Sequence, residues 1–264
     1  MERALIAAKP VRVTLHGGLG NQLFQLIRGI AETRRLGSSE LRLYPDLLSR
    51  YARQQVIEVS NLLELHRPIR VLLCPIDRLA SLRLPKIAAR LSRKERAIRI
   101  PGYGTLLDGY FQTLEQYQDL DCGQLRSTLD RWRQFLVAEG ILGSQNLPAV
   151  THIRLGDFFR DKSTAWQFAR YQLRRIARET ALVTDDEETV GDLLRRWQLP
   201  FSVSLRSTRG LSAWKLLSIL SQYKMIQTNG STLAFWAAVL SRAHFESSNL
   251  EHVALWRLFT EQQP

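Results

Sequence analysis

Cysteine is scarce: the 264-residue chain carries two, Cys74 and Cys122. That is too few for a disulfide framework, and their separation matches no metal-ligand spacing. Both are expected to be buried, reduced thiols. Long apolar runs are also missing. None approaches the roughly 20 residues needed to span a bilayer. The longest, 233–240, reads as a short buried helix. The first ten residues contain Arg3 and Lys9 but no apolar core for a signal peptide. With no export address in view, a cytoplasmic protein is the expectation. There is no internal repeat and no low-complexity tract. An apolar fraction of 45% with 23% charged residues argues against disorder and leaves an ordinary globular protein as the default.

Acidic residues are in the minority: 25 Asp and Glu against 37 Lys and Arg leave a net charge of +12. Nucleic acid, an anionic small ligand and an anionic membrane surface are the partners such a balance suggests. Much of the excess sits together. Arg83, Lys86, Arg90, Arg93, Lys94, Arg96 and Arg99 are opposed only by Glu95 and interleave with Leu82, Leu84, Ile87, Leu91 and Ile98. The interleaving makes an amphipathic basic segment, either a solvated helix face with snorkelling arginines or a surface for acidic lipid. A nucleic-acid module would add stacking aromatics along a basic groove. Here the aromatics fall mostly at core spacing, so no specific nucleic-acid partner is expected.

Strand and helix signals alternate in both halves. Residues 11–15 (VRVTL) read as a buried strand, 21–36 as a helix stopped by Gly37, and 41–44 as a second strand. The arginine-rich stretch 46–100 reads as broken helix. Residues 106–111 read as a strand. Thr113 with Gln116 forms a capping box, and 124–139 reads as a helix. The stretch 143–148 is the best linker. The alternation then restarts with strands at 149–154, 182–184, 201–204 and 225–228, and helices at 166–178, 187–197, 212–222 and from 231. Two restarts predict two doubly wound, Rossmann-like α/β domains facing a cleft, 1–147 and 148–264.

Four segments carry chemistry. The first, His16-Gly17-Gly18-Leu19-Gly20-Asn21-Gln22, sits at a strand-to-helix junction, where glycines permit close approach and helix amides face an anion. It lacks the Lys-Ser/Thr of a Walker loop and the third glycine of the dinucleotide fingerprint. Asn21 and Gln22 stand where a sugar or phosphate would sit. The second, Thr151-His152-Ile153-Arg154-Leu155-Gly156-Asp157, ends a strand. Alternation puts His152 and Arg154 on one face, and the guanidinium fork suits phosphate oxygens. Asp157 can orient that arginine or accept from a ribose. The third, Thr184-Asp185-Asp186, offers a carboxylate to a guanine or ribose, with helix capping as the bland alternative. The fourth pairs Ser231 and Thr232 with the start of an apolar helix, an anion site suited to a diphosphate. Phe235 and Trp236, in that helix, read as core packing. Adjacent aspartates with no third ligand predict no metal.

These segments resemble, in order, the motifs of the α-1,2-fucosyltransferase family of glycosyltransferase family 11, bacterial type. GGLGNQLFQ resembles its amino-terminal motif, and Asp108-Gly109-Tyr110-Phe111-Gln112 its GYFQ-type segment. His152 to Phe158 resembles its HxRxGDF motif, Thr184-Asp185-Asp186 its S/T-D-D, and Ser231-Thr232 with Phe235-Trp236-Ala237-Ala238 its distal motif. The chain departs from the pattern at Gly230, where many relatives carry Asn, with Asn229 one place early, and at Leu233, Ala234 and Phe235.

The resemblance implies a GT-B fold. It implies an inverting transfer of L-fucose from GDP-fucose to the 2-hydroxyl of a galactoside, with no metal or other cofactor. Arg154 would hold the β-phosphate; Asp157, by its own chemistry, is a candidate base or a support for that arginine. His152 and one of Asp185 or Asp186 would engage the nucleoside. Ser231 and Thr232 would take the diphosphate, and Gly20, Asn21 and Gln22 would face fucose or the galactose-containing oligosaccharide acceptor. Docking of the basic segment on the inner face of an anionic membrane would bring a lipid-linked acceptor within reach. The alternatives are a fucosyltransferase of another linkage, a user of another GDP-sugar, and a non-catalytic binder of nucleotide-sugar or glycan.

Overall fold

The structure is a computed structural model that describes residues 9–45, 59–66, 69–73, 96–100, 104–155, 180–196 and 205–261. The chain divides into two compact units, Met1–Trp132 and Arg133–Pro264.

In the first unit, β1 (Val11–Leu15) is buried along its whole length, as a strand at the centre of a parallel sheet is. It is followed by α1 (Leu19–Arg35), β2 (Glu40–Pro45), a 3-10 turn (Ser60–His66), β3 (Arg70–Leu73), β4 (Arg96–Ile100) and β5 (Gly104–Asp108). A second 3-10 turn (Leu114–Tyr117) precedes α2 (Cys122–Ala138), within which the first unit gives way to the second after Trp132. The sheet order is β3-β2-β1-β5-β4, parallel except for the β4–β5 pair. β1 therefore lies between β2 and β5, where the strand order reverses. That is the switch point at which open α/β sheets bind ligands.

Helix α1 ends as the sequence predicts. Gly37 takes φ +64°, its N–H donates to the Arg34 carbonyl at 3.0 Å, and the Ser38 N–H reaches the Thr33 carbonyl at 2.9 Å. This is a Schellman stop, and glycine enters the left-handed region at little cost. Within the helix, a Cβ added at Gly29 would lie 2.7 Å from Val13 Cγ2, so glycine there sets how closely α1 lies on β1.

Three expectations in this unit are corrected. Residues 96–100 form an edge strand rather than helix, because pairing with β5 offers their backbone a ladder. The strand expected at 106–111 is 104–108, and the chain then turns sharply. The capping box of Thr113 and Gln116 is present as expected, the Thr113 N–H donating to Gln116 Oε1 at 3.2 Å, but it opens a 3-10 turn rather than an α-helix. The basic residues 83–95 lie outside the described residues, as does Cys74; Cys122 is a half-buried free thiol.

The second unit contains β6 (Leu147–Ile153), β7 (Ala181–Thr184), α3 (Glu187–Arg196), β8 (Leu205–Ser207), α4 (Ala213–Leu220), β9 (Tyr223–Thr228), α5 (Thr232–Ser241), β10 (His244–Ser247) and α6 (Leu250–Thr260). All pairs are parallel in the order β10-β9-β6-β7-β8, the Rossmann order, with its switch point between β6 and β9. Helix α5 is apolar on every side and buried nearly throughout. Phe235 meets Trp236, Phe245, His252 and Phe259 at ring-centroid distances of 5.3, 5.7, 5.4 and 6.0 Å. Phe235 and Trp236 are core residues, as the sequence predicts. β10 and α6 go beyond the predicted elements. The expected helix at 166–178 and strand at 201–204 lie outside the described residues.

The fold class is α/β, with two Rossmann-like sheets, the second parallel throughout and the first parallel but for its β4 edge. No helix among the described residues is long and apolar enough to cross a membrane.

Candidate functional site

In the first unit the loops leaving β1 and β5 meet at the switch point. Gly17 takes φ +68°. That backbone conformation favours glycine, and a Cβ there would also force the end of the Asn21 side chain to shift. The Gly18 carbonyl accepts from the Asn21 N–H at 3.0 Å and the Gln22 N–H at 3.1 Å, starting α1. Two fully buried amides brace the loops. Gln22 Nε2 donates to the Gly17 carbonyl at 2.9 Å. Gln25 Oε1 accepts the His16 N–H at 2.9 Å, while its Nε2 donates to the Gly109 carbonyl, also at 2.9 Å. Half-buried Asn21 accepts from Gln112 Nε2 at 2.9 Å.

The β5 loop holds strain. Phe111 sits at φ +53°. That conformation is costly for an aromatic residue. Its ring is buried, and its carbonyl is held by Tyr117 Oη at 2.9 Å. At the rim, His16 Nε2 lies 2.7 Å from Asp108 Oδ1, with the side chains 17% and 15% exposed. The exposed Tyr110 ring centroid is 5.8 Å from that of His16.

In the second unit, Arg154 follows β6 and Asn229 follows β9. Asn229 Oδ1 accepts the Arg154 N–H at 3.1 Å and its Nδ2 donates to the Arg154 carbonyl at 2.7 Å. One side-chain amide thus extends the β6–β9 ladder beyond the His152–Thr228 pair. Asp185 Oδ1 accepts the Leu155 N–H at 2.8 Å, fixing the same turn from the β7 side. Ser231 caps α5. Its hydroxyl accepts the Ala234 N–H at 3.3 Å, and its own N–H donates to Thr228 Oγ1 at 3.2 Å. Thr232, half-buried, is the first helical residue. Its amide and that of Leu233 belong to the helix start, where the peptide dipoles favour an anion.

The expected residues divide accordingly. Arg154 and Asp185 are tied into one turn, and Ser231 and Thr232 begin the helix after the neighbouring strand. Asp186 is a helix cap: its Oδ1 accepts the Thr189 N–H at 3.1 Å and its Oδ2 the Thr189 hydroxyl at 2.7 Å. His152 is buried inside β6. Burial first, and the nearby Arg154 charge second, push its pKa down to about 3, so the ring is neutral. Its Nδ1 has no hydrogen-bond partner. Gly20 is buried in the first turn of α1, Gln22 braces the loop, and Asn21 is half-buried beside Gln112. Asp157 lies outside the described residues. No group of three or more metal-ligating side chains occurs among the described residues.

Sequence reasoning passed over Asn229, Gln25 and the His16–Asp108 pair. Nearness to a strand's carboxyl end was the available signal for Asn229, His16 and Asp108; Gln25, inside α1, offered none. The 92-residue separation of His16 from Asp108 hid their contact.

No family model matches the chain, and no curated protein sequence matches it. Solved structures do. A glycosyl transferase family 9 protein from Veillonella parvula is 13% identical over 92% of this chain and 80% of its own, with a TM-score of 0.42. The E. coli heptosyltransferase WaaC with ADP is 10% identical over 96% and 99%, with a TM-score of 0.44. POFUT1 in complex with GDP is 11% identical over 93% and 100%, with a TM-score of 0.41. The chain is similar to these proteins at that level, and its fold class rests on its own strand orders.

Proposed function

We propose that the chain is an inverting glycosyltransferase that moves L-fucose from GDP-fucose to the 2-hydroxyl of a galactoside in an oligosaccharide. The second unit binds the donor and the first receives the acceptor. The observation that carries the reading is the Asn229 clamp on Arg154, which sets a guanidinium-bearing turn beside the start of α5 at the Rossmann switch point. The ordered family-11-like motifs support the choice of GDP-fucose.

As the bond from fucose C1 to the β-phosphate breaks, negative charge grows on the diphosphate. Arg154 and the Ser231–Thr232 helix start offer that charge donors fixed before the reaction, so they stabilise the transition state more than the ground state. His152, neutral and buried, supports the strand end; a contact from its ring to the nucleoside belongs to the proposal, as does one from Asp185. The chemistry asks for no metal, since the cationic and amide donors take the role a divalent ion would have.

The test is a panel of GDP- and UDP-sugars with galactosides, the products identified by mass and linkage. Fucosyl transfer from GDP-fucose alone is expected. Arg154→Ala should lose about 100- to 1,000-fold in kcat with the fold intact. Near-normal turnover of that variant at saturating donor removes the assignment. A product made from a different GDP-sugar corrects the sugar but leaves the donor site standing.

A further inference from the structure

We propose that the second unit carries a saccharide-binding site along β10, where a polar row on the sheet meets Trp256 of α6. The inference stands on the chemistry of this pocket alone and goes beyond the transfer proposed above.

A cavity of about 320 Å³ lies along β10, and its described lining residues all belong to the second unit. That is the lower end of the ~300–1,000 Å³ typical of small-ligand sites, room for a mono- or disaccharide. Strand register builds the polar side. Thr151 of β6 pairs with Gln227 of β9, and Gln227 with Glu246 of β10, so the three side chains stand in a row on one face. Thr151 Oγ1 donates to Gln227 Oε1 at 2.9 Å, and Gln227 Nε2 donates to Glu246 Oε2 at 2.7 Å. A carboxylate only accepts, so it faces the amide nitrogen and leaves the amide oxygen to the threonine. The row is thereby fixed in one orientation. Gln227 still offers a second N–H, and Glu246 further lone pairs.

The opposite face of the sheet is filled by α5 and α6, where Phe235 gathers Phe245, His252 and Phe259 around its ring. Trp256 lies on another side of α6. Its Nε1 donates to the Ala243 carbonyl at 3.2 Å, and its ring stands edge-on to that of His244 with centroids 5.6 Å apart. The indole is therefore held at the start of β10, beside the row.

A sugar ring is what such a lining recognises. Its hydroxyls both donate and accept, which suits an amide beside a carboxylate, and its C–H face is apolar enough to lie on an indole. Other ligand classes fit worse. Glu246 opposes Arg257, the arginine of the lining, so a phosphate gains little there. One carboxylate with an imidazole 3.7 Å away is too few ligands for a metal. An apolar molecule would take the row out of water without replacing its hydrogen bonds.

The test follows the indole N–H resonance of Trp256 in the isotope-labelled full chain, assigned as the one missing from Trp256→Phe. Lactose, maltose and chitobiose are the probes, each titrated to about 50 mM so that a Kd of several millimolar is seen. At least one is expected to shift the resonance saturably, and inorganic phosphate to leave it in place. Glu246→Gln keeps the shape of the side chain and an acceptor for Gln227 but removes the charge. It should weaken that sugar about 10- to 100-fold, with GDP affinity unchanged by calorimetry. If no sugar moves the resonance, if phosphate moves it instead, or if Glu246→Gln binds the sugar as tightly as the unaltered chain, the inference is overturned. Sugar binding at Trp256 in a chain that neither binds GDP nor transfers fucose would leave this site standing and remove the function proposed above. Fucosyl transfer with a silent Trp256 resonance would do the reverse.

Discussion

Asn229 shows how much one side chain decides. Its amide copies a backbone bridge, giving an acceptor to the Arg154 N–H and a donor to the Arg154 carbonyl. Gly230 follows at φ +98°, a conformation that side-chain-bearing residues rarely adopt. Position 229 braces the strand end, and glycine then makes the turn into Ser231. Removing the amide leaves two backbone groups of Arg154 without this brace in a part-buried turn. Asn229→Ala should therefore cost about 1–3 kcal/mol of stability in urea unfolding. Under the proposed function it should also weaken GDP binding, since the backbone that carries the Arg154 side chain is no longer held at the strand end. Unchanged GDP affinity would mean that the turn keeps its shape without the clamp.

At the scale of elements, α1 decides the first site. One helix starts at the glycine turn, sends Gln22 and Gln25 back to brace both loops, and lies close on the sheet through Gly29. It also carries Glu32, which is buried and paired with both Arg28, at 3.1 Å, and Arg35. Burial pushes Glu32 upward, but the two arginines outweigh it and hold the carboxyl below its usual range. Gly29→Leu should be poorly tolerated. Val13 is β-branched, fully buried in the centre of the sheet and cannot swing away. The expected cost is about 1–3 kcal/mol from overpacking, read as a lowered Tm. The His16 and Asn21 loops should be displaced along with the helix. A variant of wild-type stability would show that α1 is free to rise off β1. Gly29 was visible in the sequence as an ordinary helical glycine, and only the distance to Val13 gives it a role.

At the scale of the whole molecule, three buried histidines couple stability to pH. Burial holds His66 and His252 down to about 4 and His152 to about 3, from 6.5, so all three are neutral in the folded chain. In the unfolded chain each titrates near its ordinary value and takes up a proton that the folded state refuses. Their contribution is therefore fully present above that value and is lost as pH falls toward the folded one. By pH 5 the loss is roughly 2 kcal/mol for each. Glu32, with its lowered pKa, adds a loss of the same sign below its unfolded value of 4.5. The urea midpoint should drop steeply between pH 8 and pH 5; a flat profile would mean that these rings are not buried neutral. What the sequence alone determined was local: alternating strands and helices, the Gly37 stop, the Ser231 cap, and a glycine turn and an arginine each placed at a strand's end. Those features are read from neighbours along the chain, because propensity, capping and periodicity act within a few residues. Strand order, the Asn229 clamp and the meeting of His16 with Asp108 were decided by the tertiary structure. Each joins groups that chain neighbours cannot link, and only packing of the sheets brings such partners within a hydrogen bond of one another.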